Sequence, residues 1–315
     1  MLGHEAAWES WRAAMHGERM HHAWLLSGRR GLGKARFAKR AALELVAQPG
    51  VPQPEVDSHP DILVLETLPS NSDEEKKRQE GKPYTRKRSI SVDQIRAMQR
   101  RLTTRPTLGP RRAVIIDSAD DLEKSGVNAL LKSLEEPPVG TIFLLVAHRP
   151  GGLLPTVRSR CRQLRFHGLR DSDLESILTE HEPSLSPDLM SAAIEAAQGS
   201  PGAALSFIED ELAPIAKELR SIIVHGDTDF ARRGALAAAI GTRPDRERLL
   251  ASVRLARNLC AGHARQAPRE KRAALIDAHD RLLSLGREIP YANFDPGLTA
   301  VEIGGLLAGA ATPKG

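Results

Sequence analysis

The fold of this chain is decided by residues 25–35, whose sequence is LLSGRRGLGKA. An apolar run at 23–26 predicts a buried strand, and the residues after the glycines show a helical pattern. The spacing from Gly28 to Gly33 and Lys34 is that of a phosphate-binding loop. In such a loop, backbone N–H groups surround the phosphates and the lysine reaches the terminal ones. The stretch therefore predicts a nucleotide-type phosphate site between a strand and a helix.

The predicted phosphate site lacks its usual metal ligand. A hydroxyl group normally follows the loop lysine and binds Mg²⁺, but this chain has Ala35, which offers no oxygen. The spacing could also arise by chance in a glycine-rich chain, so the flanking strand and helix matter. Asp117 adds support, because it ends an apolar strand where a P-loop ATPase has its metal-side aspartate. The candidate phosphate-site residues are Gly28, Gly31, Gly33, Lys34 and Asp117.

Composition places the chain among ordinary globular proteins. Its 315 residues suffice for two or three domains, with 41% hydrophobic and 27% charged residues. A net charge of +5 permits contact with nucleic acid, whereas only 3% aromatic residues argues against stacking platforms for single-stranded bases. The two cysteines, Cys161 and Cys260, predict neither a disulfide framework nor a cysteine-rich zinc site. With no signal-peptide pattern and no long apolar run, we expect a cytoplasmic protein without membrane contact.

The order of apolar segments predicts a parallel α/β sheet followed by helices. Strands alternate with helices up to about residue 167, and ligands bind such sheets at the carboxyl ends of the strands. The segment 69–89 is polar and basic and predicts an exposed flexible loop, although its basic run at 86–88 could face a phosphate backbone. After Gly168 the pattern is helical. The predicted strands are 23–26, 61–66, 113–117, 141–147 and 163–166.

Three motifs carry a resemblance to a known family. They are HHAWLLSG at 21–28, NALLKSLEEPP at 128–138 and Ser-Arg-Cys at 159–161. In order and spacing they resemble the bacterial clamp-loader subunits, AAA+ proteins that open the sliding clamp of DNA polymerase III and place it on primed DNA. The resemblance covers about residues 1–210. It implies an AAA+ P-loop-type α/β domain (1–167), a small helical lid (168–211) and a helical collar for oligomerisation (212–315).

The sequence departs from the hydrolysing members of that family at each chemical role. In those members a Thr or Ser follows the loop lysine, an Asp-Glu pair ends the third strand, and a polar sensor ends the fourth strand. A further arginine follows a Gly-Ser pair and reaches the γ-phosphate. The corresponding positions here are Ala35, Asp117-Ser118, Ala147-His148 and Gly202. Because phosphoryl transfer depends on positioning and electrostatics, these losses predict a chain without ATPase activity of its own.

The Ser-Arg-Cys motif is intact. The resemblance implies that Arg160 acts as an arginine finger in trans, on the ATP of a neighbouring subunit. The alternative is a surface arginine in an arginine-rich loop, beside Arg158 and Arg162. Cys161 is expected to be a packing residue, because no histidine is placed by the sequence to activate it.

A degenerate loop beside an intact finger is similar to the delta-prime class of this family. That implies a pentameric ring with ATPase motor subunits and delta, which acts on the sliding clamp and primed DNA. The chain would belong to the DNA polymerase III holoenzyme, with neither polymerase nor ATPase activity itself. No cofactor is required, nucleotide binding by the loop stays open, and no zinc is predicted because 46–60 has no cysteine. Two alternatives remain, an active motor subunit and a DNA-binding module on a relic AAA+ scaffold.

Overall fold

The computed structural model describes residues 2–17, 20–289 and 294–311. Their contacts divide the chain into two compact units, Met1–Gly168 and Leu169–Gly315. The first unit contains the sheet and the second is helical. The three predicted domains, 1–167, 168–211 and 212–315, stay predictions, because the contacts resolve two units.

The sheet of the first unit is parallel in every pairing and has the order β2-β3-β4-β1-β5 among the described residues. Its central strand β4 is flanked by β3 and β1, so the carboxyl ends of these three strands meet at one edge. The predicted parallel α/β fold is therefore confirmed. The strands are β1 (Ala23–Ser27), β2 (Ile62–Glu66), β3 (Arg112–Asp117), β4 (Thr141–Ala147) and β5 (Arg162–Arg165).

Helices cover both faces of this sheet. The first-unit helices are α1 (Glu5–His16), α2 (Lys34–Val46), α3 (Ser72–Gln79), α4 (Val92–Leu102), α5 (Lys124–Glu135) and α6 (Pro155–Arg158). Alternate residues of β4 enter different hydrophobic clusters: Leu144 lies with α1 and α2, and Phe143 with α4 and α5. A strand covered on both faces is apolar at every position, which explains the continuous apolar run seen in the sequence.

Helix α1 packs on β1 and α2 through its tryptophans. Trp11 is fully buried and meets Trp24 of β1 edge to face, with ring centroids 5.4 Å apart. Trp8 packs against Phe37 of α2 at 4.2 Å. These two contacts attach α1 to the strand and the helix on either side of the phosphate loop.

The segment 69–89, which the sequence predicts to be a loop, contains the short helix α3. Asn71 caps this helix by accepting hydrogen bonds from the backbone N–H groups of Asp73 and Glu74. Acidic residues fill its first turn and basic residues its last, an arrangement that favours a helix through its macrodipole. No residue of α3 is buried, so an apolar period could not reveal it.

The second unit is built from helices around one continuous hydrophobic cluster, which runs from Leu169 to Ala310. Its two longest helices, α12 and α13, pack on each other through residues such as Val253, which lies against Gly286. No helix in the described part of the chain is long and apolar enough to cross a membrane. The helices are α7 (Asp171–His181), α8 (Pro187–Ala197), α9 (Pro201–Glu209), α10 (Ala213–His225), α11 (Ala231–Ile240), α12 (Arg246–Gln266), α13 (Arg269–Glu288) and α14 (Pro296–Ala311).

Candidate functional site: a degenerate phosphate loop and a distant arginine

The glycines of the phosphate loop are required by its backbone. Gly31 and Gly33 have φ angles of +81° and +79°, in the left-handed region that side chains disfavour. At Gly28, a Cβ atom would lie 2.4 Å from the carbonyl oxygen of Phe166, which follows β5. Gly33 is also the N-cap of α2, so the loop delivers the chain directly into the helix N-terminus. The backbone at Gly28, Gly31 and Gly33 therefore requires glycine, and phosphate binding by this loop stays a prediction.

Lys34 is buried and turned onto its own loop. Its Nζ donates hydrogen bonds to the carbonyl oxygens of Gly28, at 2.7 Å, and Arg29, at 2.6 Å. Burial lowers the pKa of Lys34 to about 8, against the opposing effect of the carboxylates of Asp120 and Asp117. Carbonyl oxygens of the loop therefore occupy two of the three donors of the ammonium group. In this arrangement the lysine side chain bonds to the backbone of the loop to which it belongs.

Asp117 lies at the carboxyl edge of the sheet, paired in register with Glu66 of β2. Burial, and then the charge of Glu66, raises the pKa of Asp117. Arg86 from the segment 69–89 pairs with Glu66 at 2.8 Å and lowers the pKa of Asp117 in part. Arg86 thus partly balances the carboxylates of Glu66 and Asp117 on the side of the sheet away from Lys34.

The groups that would complete a Mg²⁺–ATP site do not fit that role. Ala35 presents a methyl group in the first turn of α2, where Mg²⁺ would need an oxygen. The Ser118 hydroxyl donates to Asp121 at 2.9 Å and is buried. Gly202 lies in the first turn of α9 in the second unit and has no side chain. Among the described residues, no group of three or more His, Cys, Asp or Glu side chains could hold a metal ion.

Sequence reasoning missed the role of Asp120 and described His148 only as a replaced sensor. The carboxylate of Asp120 accepts hydrogen bonds from the backbone N–H groups of His148 and Arg149, and so ties the end of β4 to the segment after β3. Burial, and then the charge of Lys34, lowers the pKa of His148 to about 4. Its Nδ1 is buried and has no hydrogen-bond partner among the described residues. A neutral imidazole therefore lies beside the loop lysine.

A second missed residue, His4, holds the loop from the other side. Its Nε2 hydrogen bonds with the carbonyl oxygen of Leu32 at 2.7 Å, and its ring meets Phe166 edge to face. Burial lowers the pKa of His4, which keeps the imidazole neutral. In the sequence His4 is recognisable only as the residue before α1. Its contact with the loop depends on the fold.

Arg160 lies at the opposite edge of the sheet from the phosphate loop. It precedes β5, which runs parallel to β1 with Trp24 opposite Arg162 and Ser27 opposite Arg165. The loop follows the carboxyl end of β1, so a strand length of about 15 Å separates the two. Arg160 Nη1 donates to the carbonyl oxygen of Thr156 at 2.9 Å, and Nη2 pairs with Glu135 at 2.7 Å. The structure does not bring Arg160 to the other predicted site residues.

Cys161, beside that arginine, is a packing residue. Its side chain lies against the hydrophobic cluster that contains Leu153 and Val157. Burial raises the pKa of its thiol to about 12, so the nucleophilic thiolate is absent at neutral pH.

Comparison with known proteins identifies the family of this chain. The model of the family "DNA polymerase III, delta subunit" matches residues 3–170, which is more than half of the chain. The chain belongs to this family. The predicted delta-prime relationship is confirmed by relatives of that name in Pseudomonas aeruginosa and Escherichia coli.

These relatives are similar over part of their length. The Pseudomonas aeruginosa DNA polymerase III subunit delta' is 34% identical over 45% of this chain and 42% of its own length. The Escherichia coli subunit delta' is 30% identical over 61% of this chain and 56% of its own length. The chain thus spans about half the length of the curated relatives it matches. A solved DNA polymerase III gamma subunit-related protein from Thermotoga maritima has a TM-score of 0.53 at 18% identity, covering 97% of this chain and 99% of its own. That likeness shows the fold alone.

Proposed function

We propose that this chain is the delta-prime subunit of a DNA polymerase III clamp loader. It would join ATPase motor subunits and delta in a pentameric ring that loads the sliding clamp onto primed DNA. The chain hydrolyses no ATP itself and supplies Arg160 to the ATP bound by its neighbour. Membership of the family and the names of the delta' relatives support the assembly.

The observation that carries the trans role is the place of Arg160 in the sheet. The arginine precedes the amino end of β5, whereas the chain's own phosphate loop follows the carboxyl end of β1. From that edge the arginine does not reach its own loop, and 34% of its side chain is exposed to solvent. The exposed part of the guanidinium can therefore contact a nucleotide held by another subunit.

An arginine suits this task for chemical reasons. Its planar guanidinium is permanently charged and presents several N–H donors that match the oxygens of a phosphoryl group. Charge on those oxygens must be stabilised during transfer, and a finger supplied in trans accelerates such reactions by about 10³–10⁵. The same chemistry at the chain's own loop lacks a Mg²⁺ ligand at Ala35 and a water-orienting carboxylate at Ser118.

The test is an Arg160→Ala substitution in the reconstituted loader. We expect the clamp- and DNA-stimulated ATPase of the ring to fall at least about tenfold, because one motor site loses its finger. Assembly, followed by size-exclusion chromatography, should persist. The measurement is the steady-state rate of phosphate release at saturating ATP.

Arg158→Ala is the matched control, because Arg158 is an exposed arginine at the end of the neighbouring helix α6. It should leave the ATPase rate unchanged. The chain alone, with clamp and primed DNA, should show no turnover above background. An unchanged rate for Arg160→Ala in an intact ring would reject the proposal, and turnover by the chain alone that Lys34→Ala abolishes would favour an active motor subunit.

A further inference from the structure

The partner of Arg160 inside this chain is Glu135, the last residue of α5. The carboxylate Oε1 of Glu135 lies 2.7 Å from Nη2 of Arg160. The second contact of the guanidinium is the Thr156 carbonyl, 2.9 Å from Nη1. Two different elements, the end of α5 and the helix α6, therefore hold one arginine head group.

This ion pair does not serve the helix to which Glu135 belongs. A negative charge in the last turn of a helix is disfavoured by the macrodipole, and Glu136 adds a second one directly after it. Several ion pairs among the described residues are formed within one helix, three or four residues apart, as between Lys77 and Glu74. The pair of Glu135 with Arg160 instead joins distant parts of the sequence.

The pair also contributes little to stability. The exposed side-chain fractions are 34% for Arg160 and 49% for Glu135, and ion pairs this exposed are weak in water. What the pair does is restrict the guanidinium. An arginine has many rotamers, and a head group held at two points has fewer of them to lose when it meets a phosphate.

We infer that Glu135 is a positioning residue for Arg160, which orients the guanidinium toward the neighbouring subunit's nucleotide. The inference rests on the trans role proposed above. A guanidinium has five N–H groups, and the contacts with Glu135 and Thr156 leave others for phosphate oxygens. The carboxylate can therefore remain in place while the phosphate binds.

The experiment is a double-mutant cycle in the reconstituted loader, with Glu135→Ala, Arg160→Ala and the two together. We expect Glu135→Ala to lower kcat of the stimulated ATPase about tenfold, since small misplacements of a reacting group are costly. The KM for ATP should change little, because the nucleotide is bound by the neighbour. In the Arg160→Ala background, Glu135→Ala should have no further effect.

Glu136→Ala is the matched control, since it removes the adjacent exposed carboxylate, and it should behave as the unchanged chain. Glu135→Gln preserves the size of the side chain and one acceptor oxygen, so its kcat should lie between those of Glu135→Ala and the unchanged chain. It also covers the case in which Glu135→Ala fails to assemble. Size-exclusion chromatography reports assembly for each variant.

The outcomes separate this inference from the proposed function. Loss of activity in Arg160→Ala with unchanged kcat in both Glu135 variants would overturn the role of Glu135 alone. A raised kcat would also overturn it, because Glu135 would then restrain Arg160, and so would a further loss in the Arg160→Ala background. If Arg160→Ala itself has no effect in an intact ring, the proposed function fails and the inference fails with it.

Discussion

At the scale of single residues, contacts within the chain involve the two charged groups of the candidate phosphate site, Lys34 and Asp117. Lys34 donates to the carbonyl oxygens of Gly28 and Arg29, which occupy two of its three donors. Asp117 shares its edge with Glu66, and Arg86 balances that pair. Contacts within the chain thus occupy two donors of the lysine and partly balance the two carboxylates. This supports the expectation that the loop has lost its chemistry rather than a single ligand.

His148 gives a residue-scale prediction about pH. Its pKa is about 4 in the folded chain, against 6.5 for an unperturbed histidine, so between these values the unfolded chain binds a proton that the folded chain does not. Stability from this group is therefore complete above pH 6.5 and is lost as the pH falls toward 4. From pH 7 to pH 5, His148→Gln should lose about 2 kcal/mol less unfolding free energy than the unchanged chain.

Tryptophan fluorescence during urea unfolding measures this difference. All three tryptophans, Trp8, Trp11 and Trp24, lie in the first unit with His148, so their signal reports its unfolding. His167→Gln, at an exposed position in the same unit, is the control. An equal pH dependence for His148→Gln and the unchanged chain would contradict the buried neutral imidazole.

At the scale of elements, the turn before β4 depends on one glycine. Gly140 has φ +77°, and a Cβ atom there would lie 2.3 Å from the carbonyl oxygen of Pro110. Its own carbonyl accepts from the N–H of Arg112, which begins β3. The close approach of these two backbones starts the pairing of β3 with β4.

Gly140→Ala should therefore destabilise the first unit beyond the conformational cost of alanine alone. The matched control is Gly50→Ala, because Gly50 has φ +76° and nothing within 4 Å of the added methyl group. We expect about 1 kcal/mol for the control and about 1–3 kcal/mol more for Gly140→Ala, whose backbone must shift. Urea unfolding followed by tryptophan fluorescence measures both, and equal losses would argue against the close contact.

The elements also show where sequence reasoning succeeds. The sheet is predictable because strands covered on both faces are apolar throughout, and the loop because positive φ angles require glycine. Helix α3 is not, since its stability comes from the Asn71 cap and from charges at its ends, with no buried face. Element type follows from periodicity only where one face of the element is buried.

The site shows the same division between local and distant signals. Lys34 and Asp117 are predictable because each belongs to a local pattern, a glycine loop or the end of an apolar strand. The contact of Asp120 with His148 arises from the pairing of β3 with β4. The pairing of Arg160 with Glu135 likewise joins two segments that no motif spacing connects. Contacts between elements need the fold, and these contacts define what the site residues do.

At the scale of the whole molecule, the two edges of one sheet carry different chemistry. At the carboxyl ends of the strands lies the glycine-rich loop, whose carbonyl oxygens accept hydrogen bonds from Lys34. The opposite edge holds Arg160, partly exposed and fixed by Glu135 and Thr156. The function proposed above assigns that arginine to a contact with a neighbouring subunit.

The most direct test is a structure of the assembled ring with a non-hydrolysable ATP analogue bound to the motor subunits. We predict that the guanidinium of Arg160 lies about 3 Å from a γ-phosphate oxygen of the adjacent subunit, as in charge-assisted hydrogen bonds. We also predict that Glu135 stays in contact with Arg160. A ring in which Arg160 points away from the neighbour's triphosphate would contradict the trans role.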